Sequence, residues 1–220
     1  LLEGIGAAVL AFRFCPEFGL AKGLWYSVFH SISAFCNAGF DLMGIKSPFS
    51  SLTDYTGDPV VSLTIPILII LGGIGFMTWK DVREHKWHFR LYTLQTKLIL
   101  TTTAGLILIP TLLFFFLEFS RPVWDSMTLG ERLLASFFQA VTPRTAGFNS
   151  VDLTALSEPS QALTIVLMLI GGAPGSTAGG FKVTALAVLF VNASAVLRHR
   201  SCTQCYGRRL MPEALTNAMT

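Results

Sequence analysis

Phe29-His30-Ser31-Ile32-Ser33-Ala34-Phe35-Cys36-Asn37-Ala38-Gly39-Phe40-Asp41 aligns without a gap over Phe137-Phe138-Gln139-Ala140-Val141-Thr142-Pro143-Arg144-Thr145-Ala146-Gly147-Phe148-Asn149, at an offset of 108 residues. The shared core is Ala-Gly-Phe followed by Asp or Asn. Each copy lies in an apolar stretch, roughly 24–41 and 133–149, that is too short to cross a bilayer core of ~30 Å. Each holds about three turns of helix-compatible pattern and then a glycine among small polar residues. That shape predicts a half-helix that enters the membrane and turns back. Such backbone is tolerated only where protein shields it or where it lines a water-filled path.

The chain around these copies is built for lipid. Of 220 residues, 52% are hydrophobic and 13% charged, about half the charge of an ordinary soluble domain. Val60 to Trp79 carries no charge, and neither does Leu98 to Leu117. Each is about the length of one span. A third apolar region, 161–197, is too long for one span and is interrupted by Gly171-Gly172-Ala173-Pro174-Gly175-Ser176-Thr177-Ala178-Gly179-Gly180. Leu1 to Phe14 reads as the end of a further span. The absence of an initiator Met or a secretory signal suggests a piece of a longer protein.

Charge gives the orientation. Nine of the sixteen Lys and Arg residues lie in 80–97 and 198–209, which the positive-inside rule makes cytoplasmic. The resulting map has 1–80 as one unit, with a truncated first span, a re-entrant segment at 24–41 and a span at 60–79. A cytoplasmic loop follows at 81–97. The next unit, 98–197, has a span at 98–119, a re-entrant segment at 133–149 and a broken span at 161–197. Residues 198–220 form a second cytoplasmic loop. Both copies keep the same sense, so they are parallel repeats about an axis along the membrane normal. The expected fold is an all-α integral membrane protein of tandem helix–re-entrant pore loop–helix units. Half-helices aiming their partially negative C-terminal ends at a common axis suit a cation. Backbone carbonyls of the turns can replace its hydration shell. Two units cannot close such a ring, whereas four can, so the chain is read as two units of a pseudo-fourfold pore.

Other chemistries are poorly supported. Lys182 follows Phe181, so the glycine-rich stretch is no phosphate-binding loop, and H-E-x-x-H and G-x-S-x-G are absent. The chain is therefore read as no enzyme and no nucleic-acid binder. Cys202 and Cys205 form a lone C-x-x-C, more often incidental than redox-active. His30 reads as a packed helix residue rather than an ion ligand. Asp41 is either a turn cap or a carboxylate concentrating cations at the mouth. Arg144 is read as bracing the turn behind Gly147, and Lys182 as tuning the loop below it.

Asn37-Ala38-Gly39-Phe40-Asp41, Thr142 to Asn149, and Gly171 to Gly180 with Lys182 together resemble the Trk/Ktr/HKT superfamily of potassium transporters, nearest to the bacterial Ktr-type membrane subunit. The resemblance implies four units in a complete chain, of which these are the second and third, with residues beyond Arg208 approaching a fourth. It implies a selectivity filter at Asn37, Ala38, Gly39, Thr145, Ala146 and Gly147, supported by Asp41, Arg144 and Asn149. It implies a gate formed by Gly171, Gly172, Gly175, Ser176, Thr177, Gly179 and Gly180, with Lys182. The transported ion is then K⁺, with Na⁺ as an alternative or coupled ion. The implied setting is the plasma membrane, in contact with lipid, as a multi-pass homodimer on a cytoplasmic nucleotide-binding ring. A non-conducting membrane scaffold or receptor is the alternative of another class.

Overall fold

A computed structural model describes residues 1–45, 50–86, 88–199 and 204–209. Cys202, and most of the expected loop 198–220, lie outside the described residues. The chain is mainly helical: α1 (Leu2–Phe18), α2 (Leu20–Phe35), α3 (Pro59–Gly73), α4 (Phe76–His85), α5 (Leu94–Leu117), α6 (Leu129–Val141), α7 (Glu158–Leu169) and α8 (Val183–Leu197). A two-residue hairpin, β1 (Gln204–Cys205) and β2 (Arg208–Arg209), follows.

Local chemistry sets the helix ends. Gly19, at φ 82°, separates α1 from α2. Asp58 caps α3 by accepting from Val60 N and Val61 N, with Pro59 in the first turn, where its missing N–H costs nothing. Thr128 and Glu131 close a reciprocal capping box at the start of α6. Thr93 caps α5, so this helix begins four residues before the uncharged run that predicted it. Among the described residues α5 is the one helix that is by itself long and apolar enough to cross a membrane.

The expected span 60–79 is not one helix. It divides into α3 and α4, which meet at 92°. Gly75 stands at φ 91°, a conformation that ends a helix. The backbone groups freed by the break are taken up from far along the chain: Ala173 N donates to Gly73 O at 2.8 Å, and Phe76 N donates to Gly175 O at 3.1 Å. A break in an apolar run is affordable when such partners exist. The expected broken span 161–197 does separate into α7 and α8, joined by the glycine-rich loop.

Two cores hold the helices. In the larger, Phe14 of α1, Tyr26 of α2, Ile65 and Leu68 of α3 and Phe138 of α6 pack with Phe148. The two sequence copies therefore share one interior. Phe114, Phe119, Trp124, Ala135 and Leu167 form the second, around the junction of α5, α6 and α7. At its edge the wholly buried Glu118 accepts from Arg121 at 2.8 Å, Trp124 Nε1 at 2.9 Å and Ser157 N at 3.0 Å, and also from the Ser157 hydroxyl. A buried carboxylate is tolerable with that many donors. Outward, Leu108, Ile109, Leu112 and Phe116 of α5 stay exposed, a face suited to lipid or to further helices.

The α4–α5 corner is fixed by Asp81, which is buried and accepts from Thr93 N and Thr93 Oγ1 at 2.9 Å each and pairs with His85 Nδ1 at 2.8 Å. Burial alone raises a carboxyl pKa, but hydrogen bonds from Thr96, Thr93 and His85 outweigh it and hold Asp81 at about 2. Because the folded value is depressed, its stabilisation is complete above the ordinary carboxylate range and is lost as pH falls toward 2. Asp81→Ala is expected to loosen the corner by about 1.5–3 kcal/mol, the range for hydrogen bonds to a charged group. Faster amide exchange at Thr93 in the variant, with unchanged exchange in the α6 interior, is the measurement that checks it.

Candidate functional site

Both copies of the aligned motif leave their helices in the same way. In the first, Cys36 N bonds Ile32 O at 2.9 Å, Asn37 N bonds Ala34 O at 3.1 Å and Ala38 N bonds Ser33 O at 2.9 Å. In the second, Ala146 N and Gly147 N both bond Thr142 O, at 3.2 and 3.0 Å. The last carbonyls of each helix, which otherwise lack intrahelical partners, are thus satisfied by the N–H groups of the segment that follows. The carbonyls of that segment are left over. Those of Asn37, Ala38, Gly39, Thr145, Ala146 and Gly147 accept no hydrogen bond from a described residue.

Backbone conformation repeats as well. Asn37 (φ 52°) and Thr145 (φ 71°) are left-handed, and so are Gly39 (φ 72°) and Gly147 (φ 99°), whereas Ala38 and Ala146 between them are not. Alternation of backbone hand allows successive carbonyls to face one side, as a carbonyl-lined ion path requires. For Asn37 and Thr145 the conformation costs energy and persists only where the surroundings enforce it.

A hydroxyl anchors each exit. Ser33 Oγ donates to Phe40 O at 2.8 Å, and Thr142 Oγ1 donates to Phe148 O at 2.6 Å. The buried His30 accepts from Leu42 N at Nε2, 3.3 Å away, which leaves its proton on Nδ1 to donate to Tyr26 O at 2.7 Å. Its ring lies among Phe14, Phe29 and Phe148, so it is a packed residue with both nitrogens engaged. Asp41 Oδ1 accepts from Met43 N at 3.0 Å, the turn-capping geometry. None of these anchors was among the candidate residues except Asp41. Hydroxyls near the end of a half-helix, within reach of the residue after the glycine, are the signal that could have found Ser33 and Thr142.

The two segments meet. A Cβ added to Gly39 would overlap the carbonyl oxygen of Ala146 and come within 2.8 Å of its carbon. The glycine-rich loop lies against the first of them. Thr177 Oγ1 donates to Phe35 O at 2.9 Å and accepts from Asn37 Nδ2 at 3.3 Å. Thr177 N reaches Gly72 O at 3.4 Å. The loop also closes on itself through Gly171 N to Phe181 O, 2.9 Å, and Gly172 N to Gly179 O, 3.4 Å. Lys182 Nζ donates to Ala178 O at 2.9 Å within the loop. Arg144 is buried and directs Nη2 to the carbonyl of Gly171 at 3.4 Å, in the glycine-rich loop. The candidate residues therefore lie in two layers: paired carbonyl-bearing segments, and a loop tied to both the first segment and the α3–α4 break. Among the described residues no group of His, Cys, Asp or Glu is arranged to hold a metal ion.

The family described as TrkH, cation transport protein, matches residues 5–204. Potassium/sodium uptake protein NtpJ of Enterococcus hirae is 40% identical over 220 residues, covering 100% of this chain and 48% of that protein. Ktr system potassium uptake protein B of Vibrio alginolyticus is 41% identical over 220 residues, 99% of this chain and 47% of its own length. The Bacillus subtilis protein of the same name is 41% identical over 219 residues, with coverage of 99% and 48%. The chain thus spans about half the length of the curated relatives it matches. Among solved structures, the potassium transporter TrkH from Vibrio parahaemolyticus superposes with a TM-score of 0.65 at 20% identity, over 98% of this chain and 52% of that one.

Proposed function

The chain belongs to the TrkH family of cation transport proteins, and we propose that it supplies two of the four pore units of a potassium uptake protein of the plasma membrane. The observation that carries this reading is the pairing of two carbonyl-bearing segments that repeat the same left-handed positions, with the N–H groups of Asn37 and Ala38 turned back on α2 and those of Ala146 and Gly147 on the C-cap of α6. Segments 37–39 and 145–147 form half of the selectivity filter. The turn-back shape of 24–41 and 133–149, and the parallel repeat of units 1–80 and 98–197, belong to the same proposal.

Conduction requires no covalent chemistry. A cation sheds water against the free carbonyls and passes down its electrochemical gradient, while the protein contributes only oriented dipoles. The loop 171–180, lying below the filter, is the gate. Basic loops 80–97 and 198–209 face the cytoplasm, where a nucleotide-binding ring would meet a homodimer of the complete protein. The names of the relatives include both potassium uptake and potassium/sodium uptake, so a sodium-permeable or sodium-coupled transporter is the second reading.

The test is reconstitution of the complete protein in liposomes with K⁺ and Na⁺ flux measured separately. K⁺ flux exceeding Na⁺ flux supports the first reading and comparable flux supports the second. Absence of flux for either ion, in vesicles where the protein is folded, would favour a non-conducting scaffold.

A further inference from the structure

Residues 50–58, which join the first glycine segment to α3, have no part in the filter just proposed. Three of their polar groups nevertheless reach the exit of the other glycine segment. Asn149 N donates to Ser51 Oγ at 3.2 Å, and Leu52 N donates to Asn149 O at 2.9 Å. Thr56 Oγ1 shares its one proton between Ser150 O, 94 residues away, and Thr53 O at 2.7 Å. Both backbone groups of Asn149 and the carbonyl of Ser150 are thereby held from outside their own unit. Ser51, Leu52, Thr56 and Ser150 are all buried. Ser51 also sits at φ 45°, a strained state for a residue with a side chain, which surrounding structure must impose.

The loop is itself locked from behind. Ser62 Oγ shares its one proton between Tyr55 O at 2.8 Å and Thr56 O at 3.1 Å. The buried Tyr55 ring lies 5.3 Å from the Arg13 guanidinium, and its hydroxyl donates to Glu17 at 2.9 Å. Arg13 in turn donates from Nε to Asp58, the cap of α3. The loop is therefore fixed to α1 and α3, two rigid elements of the other unit.

Gly147 has need of such a support. Gly39 is confined by the Ala146 carbonyl, but a Cβ built at Gly147 meets nothing within 4 Å. On that side no packed neighbour among the described residues restrains the peptide planes about Gly147. Thr142 holds Gly147 N and Phe148 O from within the unit, and the residues that follow add a second hold, bonded to Ser51, Leu52 and Thr56. We infer that Ser51 and Thr56, with the Leu52 backbone, are positioning residues for the carbonyls of Thr145 to Gly147, so that the outer loop of one pore unit sets the ion preference of the next. This inference rests on the filter reading above.

The experiment uses the complete protein in liposomes and compares Thr56→Val, Thr56→Ser and Ser51→Gly with Gly147→Ser. Valine keeps the threonine shape and removes its donor. Glycine removes the Ser51 hydroxyl and tolerates the positive φ. Each of Thr56→Val and Ser51→Gly is expected to lower the K⁺/Na⁺ permeability ratio by roughly three- to tenfold, the equivalent of one hydrogen bond of ordinary net strength. Thr56→Ser, which keeps the donor, is expected to retain the parent ratio, and protein yield and melting temperature should change little. If Gly147→Ser lowers the ratio while Ser51→Gly and Thr56→Val leave it unchanged, the inference is overturned and the filter reading stands. If Gly147→Ser also leaves the ratio unchanged, the filter reading itself fails. Should Thr56→Val not assemble, Ser51→Gly decides alone.

Discussion

Gly39→Ser in the complete protein is expected to abolish the preference for K⁺ over Na⁺, lowering the permeability ratio by at least about tenfold, or about 1.4 kcal/mol. Two costs act together. The residue stands at φ 72°, where an L side chain loses roughly 1–2 kcal/mol. Its Cβ would also occupy the space of the Ala146 carbonyl oxygen. That neighbour is backbone, so it cannot swing aside as a flexible side chain would. Relief requires moving one filter segment against the other, and carbonyl placement is what discriminates between ions. Gly147→Ser provides an internal comparison. It carries the same conformational cost at φ 99° but meets open space, so its effect should be clearly smaller. Separate K⁺ and Na⁺ fluxes in liposomes check both. Equal effects from the two substitutions would mean that the Gly39–Ala146 contact does not matter, and a normal ratio in Gly39→Ser would remove Gly39 from the ion path.

The sequence carried the parts of this arrangement that depend on local pattern. Two glycine motifs at a fixed offset were visible, and the left-handed positions 37, 39, 145 and 147 fall at that same offset. The glycine-rich interruption of 161–197 was visible because an apolar stretch of that length cannot be one span. The break after Gly73 was less legible, although Gly72, Gly73 and Gly75 stood in plain view. A glycine in an apolar helix breaks it only if something accepts the freed backbone groups, and here the partners, Ala173 and Gly175, lie about a hundred residues away. The same holds for the partner of Arg144: its Nη2 reaches the carbonyl of Gly171, which only the folded chain brings close. The hydroxyl anchors failed to stand out for a different reason. Ser33 and Thr142 hold equivalent carbonyls from positions that differ by one residue in the alignment, so no repeat search pairs them. Loop 50–58 has no counterpart in the aligned motif at all, and its hydrogen bonds to Asn149 and Ser150 are wholly tertiary.

Removing residues 174–178 is expected to raise K⁺ flux strongly while leaving the K⁺/Na⁺ ratio near that of the parent. The deleted stretch contains the groups that tie the loop to its surroundings: Gly175 O, which accepts from Phe76 N, and the Thr177 N–H and hydroxyl, which reach Gly72 O and Phe35 O. It also contains the partner of Asn37 Nδ2. Without them the loop keeps only the Ala173 N bond to Gly73 O at the α3–α4 break, among the described residues, and loses its tie to the end of α2. The filter segments keep their own anchors, since the hydroxyls of Ser33 and Thr142 and the N–H bonds to their helices do not involve the loop. A graded form of the experiment is Thr177→Val, which removes the donor to Phe35 O and the acceptor for Asn37. Two hydrogen bonds at about 0.5–1.5 kcal/mol each would shift a closed–open equilibrium by roughly 5- to 150-fold. Flux should therefore rise in Thr177→Val and rise further in the deletion, with selectivity constant across the series. Unaltered flux in the deletion would count against a gate. A fall in selectivity with no change in total flux would instead make the loop part of the filter's foundation, acting through the Thr177 bonds to Asn37 and the end of α2.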